Sequence, residues 1–123
     1  MKRAVTIILL IVAAYAAWAY FTRSDAPRFG EDGYLAYPSG SREGVVLFKT
    51  VETYDAAIKA RAAKDDVGFR QAFLAGGFSV LHGTKVRVID THGMWALQVR
   101  VQEGPNAGKA GYVPREFVHR KRP

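Results

Sequence analysis

The stretch Gly108–Val118, GKAGYVPREFV, carries the reading of this chain's fold. It runs glycine, aromatic, valine, proline, two polar residues, aromatic, valine. Lys109 to Val113 reads as a short strand. Pro114 holds φ at about −65° and opens a tight turn. Phe117 to His119 then returns as a last short strand, and Gly111 is expected to let the preceding strand kink.

Upstream, EGPNAGK (Glu103 to Lys109) is a turn dense in Gly, Pro and Asn. Before it, WALQVRVQ alternates with a period of two. Trp95, Leu97, Val99 and Val101 share one face, and Ala96, Gln98, Arg100 and Gln102 share the other. TKVRVID repeats the pattern with Val86 and Val88 against Lys85 and Arg87, and THGM joins the two as a hairpin. Such alternation marks antiparallel strands with one buried face.

Further back, VVLFK (Val45 to Lys49) is β-branched and aromatic and reads as a first strand. Thr50 to Asp66 then contains no Gly or Pro and predicts a helix, with Thr50 or Thr53 as its cap. On it, Tyr54 and Ile58 stack at i,i+4, and Asp55 pairs with Lys59. A second, short helix starts at Asp65 or Asp66, presents Phe69 and Phe73 on one face and ends at Gly76-Gly77. The expected fold class is therefore mainly β, a small α+β domain. Five short strands close as a bent barrel, and a helical insertion lies between strands one and two.

From Gly83 to Val118, GTKVRVID followed by WALQVRVQEGPNAGKAGYVPREFV resembles the C-terminal half of an SH3-like barrel. The likeness is to the bacterial SH3 type of exported and envelope proteins. Gly111-Tyr112-Val113-Pro114 with Phe117-Val118 is similar to that family's closing strand, 3₁₀ turn and last strand. The resemblance implies a recognition module for cell-wall material or a partner protein. It places a ligand groove at Trp95, Tyr112, Pro114 and Phe117. Two departures set the chain apart from peptide-binding SH3 domains. Helices replace the long acidic first loop. Phe117 and Glu116 stand where a tyrosine hydroxyl and a polar amide would meet a polyproline ligand.

The N-terminus is of another kind. Ala4 to Phe21, AVTIILLIVAAYAAWAYF, is apolar apart from Thr6. As a helix it spans roughly 27 Å, close to the hydrocarbon thickness of a bilayer. Lys2 and Arg3 precede it, Arg23 follows, and Trp18 and Tyr20 sit where headgroups would lie. Two readings stand: a retained signal-anchor helix over residues 1–22, or a signal peptide cleaved after Ala17-Trp18-Ala19. Residues 23–44 carry Pro, Gly and mixed charge and read as a linker or arm. Phe29, Tyr34, Leu35 and Tyr37 are too many apolar groups for a pure spacer, so part of that arm is expected to fold back on the domain at 45–119.

The net charge is +7, yet Lys2, Arg3, Arg23, Arg120, Lys121 and Arg122 supply six of it, so +7 less these six leaves +1. A near-neutral domain offers no basic groove for nucleic acid. The tail at 120–123 is a solvated end that could rest on anionic headgroups. There are no cysteines, which excludes disulfides and thiol chemistry. His82, His92 and His119 share no metal-ligand spacing, and two of them precede turn glycines, where solvated side chains are expected. Asp65-Asp66 reads as capping groups, and no catalytic motif or cofactor is implied.

The sequence thus predicts a membrane-tethered, non-enzymatic binding module of the bacterial envelope. The expected location is the inner membrane, single-pass, with the domain extracytoplasmic. The alternative is a structural accessory subunit that packs through the alanine-rich side of its N-terminal helix.

Overall fold

The computed structural model describes residues 26–123. The expected membrane helix at 1–22, with Lys2, Arg3, Trp18, Tyr20 and Arg23 at its interfaces, lies outside the described residues. Among the described residues no helix is long and apolar enough to cross a membrane.

Seven strands and two helices follow one another. β1 is Asp32–Leu35, β2 Val45–Phe48, α1 Val51–Ala62 and α2 Asp66–Gly76. β3 is Gly77–Val80, β4 Lys85–His92, β5 Ala96–Val101 and β6 Ala110–Pro114. A 3₁₀ turn at Arg115–Phe117 leads to β7, Val118–His119. All pairings are antiparallel, in the order β3-β2-β6-β5-β4-β1-β7.

The five-stranded closed barrel is therefore wrong. The sheet has seven strands and is open, with β3 and β7 as its edges. The two additional strands come from places that lack strand signals. β1 lies in the Gly- and Pro-rich stretch expected to be an arm. β3 follows α2 without a loop, so that Gly77 is at once the helix cap and the first strand residue.

The reason the sheet need not close lies in its burial. One cluster gathers Leu35, Val45, Leu47, Val80, Val86, Val88, Leu97, Val99, Val101, Val113 and Val118, at least one residue from each strand. The sheet curls until one face of all seven strands meets. On the opposite face, Phe48 and Ala96 pack with Tyr54 and Ala57 of α1 and Ala72 of α2. The second face is thus buried at Phe48 of β2 and Ala96 of β5, with Tyr112 of β6 half-buried beside them, which is why Ala96, on the face expected to be polar, is 2 % exposed. Two helices complete the burial that strand closure was expected to provide.

Both helices start where capping chemistry places them. Thr50 Oγ1 accepts from Thr53 N–H at 3.2 Å, and Asp65 Oδ1 accepts from Gly68 N–H at 2.9 Å. The stretch before β1 is packed as well: Pro27 is fully buried, and a Cβ on Gly33 would meet Pro27 and Val118 at 2.7 and 2.8 Å. The first described residues thus pack at the β1–β7 edge.

Candidate binding pocket

The β4–β5 hairpin places the tryptophan that the sequence singles out. His92 pairs with Ala96, leaving Gly93, Met94 and Trp95 as the turn. Gly93 has φ of 63°, a left-handed conformation that glycine adopts without a Cβ clash. Trp95 therefore sits just outside the strand and is 58 % exposed, whereas Leu97, two residues on, is fully buried.

Ala96 pairs with Pro114, which brings the end of β6 beside the turn. Arg115 N–H donates to the Trp95 carbonyl at 2.7 Å, tying the 3₁₀ turn to the hairpin. From across the sheet, α1 contributes Tyr54 and Ile58, one helical turn apart. Together with Arg115 and Glu116 these residues line a cavity of about 290 Å³. Its walls are tryptophan, tyrosine, isoleucine and proline, and one cation and one anion lie among them.

Two polar features bear on its chemistry. Arg115 Nε is buried without a hydrogen-bond partner, and a buried donor left unpaired costs free energy that an acceptor from outside would recover. Tyr54 is buried, and its hydroxyl pKa is pushed up to about 12, first by desolvation and then by the charges of Asp55 and Glu116. Tyr54 thus lines the cavity as a neutral phenol at physiological pH.

Of the four groove residues predicted from sequence, Trp95 and Pro114 line this cavity. Tyr112 instead lies beneath α1, its ring 6.4 Å from Tyr54 and 5.9 Å from His92. Phe117 turns to the main core and meets Tyr37 edge-on at 5.0 Å. Tyr54, Ile58 and Arg115 are the lining residues that sequence reasoning missed, while Glu116 entered it only as a departure from the peptide-binding pattern. The one available signal was the Tyr54–Ile58 spacing, which defines a helix face without saying what it meets.

His92 is no solvated turn residue. It closes β4, makes a 2.9 Å hydrogen bond with Asp55 of α1 and packs edge-on against Tyr54. It fastens the hairpin to the helix and so fixes the two sides of the pocket. Among the described residues no group of three His, Asp or Glu gathers as a metal site. No protein-family model, curated protein or solved structure was found to match the chain.

Proposed function

We propose that the protein is a membrane-tethered, non-enzymatic binding module of the bacterial cell envelope that holds cell-wall material or a partner protein in the Trp95 pocket. The observation that carries this reading is the exposed Trp95 at the mouth of an apolar cavity that is also lined by Arg115, whose Nε is buried without a hydrogen-bond partner. An indole face stacks on the apolar face of a sugar ring or on a proline or aromatic side chain. A carbonyl or hydroxyl oxygen of the same ligand accepts from Arg115. Few convergent polar groups in an apolar cleft are the usual form of a binding site. The apolar run Ala4 to Phe21 supports the tether, and the likeness of the GYVP and FV phrase to exported bacterial domains supports the envelope.

The chain has two tryptophans, Trp18 and Trp95, so Trp18→Phe leaves Trp95 as the reporter. The full chain in nonionic micelles is titrated with soluble peptidoglycan fragments while tryptophan emission is followed. Saturable change that Arg115→Gln weakens supports recognition of wall material. Absence of change directs the search to protein partners, by photo-crosslinking from position 95 in cells. If neither ligand class engages position 95, the binding-module reading fails. Protease digestion of a C-terminal tag in intact spheroplasts tests the location, and protection until lysis would overturn the envelope assignment. Exchange of residues 4–21 for an unrelated anchor separates this reading from the accessory subunit, which would lose function.

A further inference from the structure

A second, larger concavity of about 790 Å³ shares no lining residue with the Trp95 pocket. Its walls are the turn after β1, with Tyr37 and Arg42, then His82, His119 of β7, and the C-terminal residues Arg120 to Pro123. The lining contains four permanent cations, Arg42, Arg120, Lys121 and Arg122, and no carboxylate side chain. The +1 left to the chain without its ends therefore misses a local concentration: the fold carries Arg42 to the tail.

The tail is held against the body. Arg120 reaches Glu31 at 3.6 Å, and the Arg122 guanidinium lies 4.9 Å from the Tyr34 ring centroid. His119 Nε2 donates to the Ala36 carbonyl at 3.1 Å, a partner that can only accept. Arg42 and Lys121 have no ion-pair partner among the described residues. His82 Nδ1 is buried without a hydrogen-bond partner. Cations gathered in a concavity focus positive potential there. Arginine supplies forked donors that match oxyanion geometry, and such charge-assisted hydrogen bonds are the strong ones.

We propose that this groove binds a phosphate-ester oxyanion, with Arg42, Lys121 and Arg122 supplying the charge and His82 a further hydrogen bond. Several cations around one space suit a tetrahedral group with three or more acceptor oxygens better than a planar carboxylate. The volume exceeds a single ion and admits the group that carries the phosphate. The source is a lipid headgroup or a free phosphorylated solute. Chain geometry favours the headgroup: Pro27, near the start of the described residues, packs against Gly33 and Val118, on the sheet edge where the groove lies. That preference rests on the membrane tether proposed above, while the oxyanion site does not.

The test uses the full chain in nonionic micelles, with side-chain NMR signals of His82, His119 and the arginines as readout. Inorganic phosphate, short-chain phosphatidylglycerol and short-chain phosphatidylcholine are titrated separately. Saturable shifts with phosphatidylglycerol, stronger than with phosphate, establish the headgroup site. Equal saturation by phosphate alone keeps the oxyanion site and assigns it to a soluble ligand. Exchange of Arg42, Lys121 and Arg122 together for glutamine is expected to weaken binding at least roughly tenfold. All three are exposed, so the fold should persist, as circular dichroism would verify. Equal shifts from phosphatidylcholine, whose phosphodiester carries the same charge, that the triple variant loses would keep the phosphate-ester site without selection for an anionic headgroup, whereas absence of saturation with every ligand, or full binding by the triple variant, would overturn the proposal. Trp95 emission reports the other pocket, so either site can fail without the other.

Discussion

Gly111 has a second reason to be glycine, which the sequence alone did not display. It was expected to permit a kink, and its backbone does not enter the left-handed region. What it supplies is space. A Cβ there would lie 2.8 Å from Leu47 Cβ and 3.1 Å from the Phe78 ring. Leu47 is fully buried, and its Cβ is a stem atom that cannot swing aside. Gly111→Ala is predicted to cost about 1–3 kcal/mol through overpacking. Trp95→Ala, at a side chain 58 % exposed, should change stability by no more than about 0.5 kcal/mol. Urea unfolding of the full chain in micelles, followed by circular dichroism, compares the two. A Gly111→Ala midpoint at the wild-type value would show that the sheet gives way at this contact. The same contrast explains what was legible in the pocket. Trp95 and Pro114 carry turn and aromatic signals of their own, whereas Tyr54 and Ile58 acquire their place only when the helix docks.

At the scale of the element, α1 joins local chemistry that the sequence displays to packing that it does not. Its cap was readable, because threonine before an alanine-rich run satisfies a free N–H. Thr50→Ala is predicted to cost about 1 kcal/mol, read from the same unfolding curves. Less readable was the burial of Tyr54 between sheet and helix. The folded state holds the hydroxyl proton up to about pH 12, and the unfolded chain releases it near the ordinary value of 10.0. The unfolded state therefore binds fewer protons between those values, and stability falls as pH rises from about 10 toward about 12. Tyr54→Phe should flatten that alkaline loss relative to wild type, whatever its effect at pH 7. An alkaline limb of unchanged slope would mean that Tyr54 is solvated. β1 and β3 went unread for a simpler reason. Each has four residues, too few for an alternating pattern to emerge from glycine-rich surroundings, and each is defined by its neighbour in the sheet.

For the whole molecule, the two buried clusters are not separable. Leu47 and Phe48 are successive residues of β2 in different clusters, and Ala96 and Leu97 of β5 divide in the same way. A strand that serves both cores transmits the loss of one to the other, so helices and sheet should unfold together. The sequence pattern could show that strands had an apolar face. It could not show that helices cover part of the second face, since the alanine and the tyrosine there, Ala96 and Tyr112, read as neutral. An open sheet also retains edges, which a closed barrel would not have had, and exposed edges invite pairing with another chain. The β3 edge is guarded from within the chain: Asn106 Nδ2 donates to the Ser79 carbonyl at 2.9 Å, and the Lys109 ammonium lies 5.8 Å from the Phe78 ring centroid. Asn106→Ala frees that carbonyl and is predicted to raise self-association with protein concentration. Sedimentation velocity against the unsubstituted chain in the same micelles measures it. Ser79 is exposed, and adding Ser79→Lys should reverse the effect by placing a charge on the edge. Concentration-independent sedimentation of Asn106→Ala would show that β3 is too short or too twisted to recruit a strand, and that its guard is dispensable.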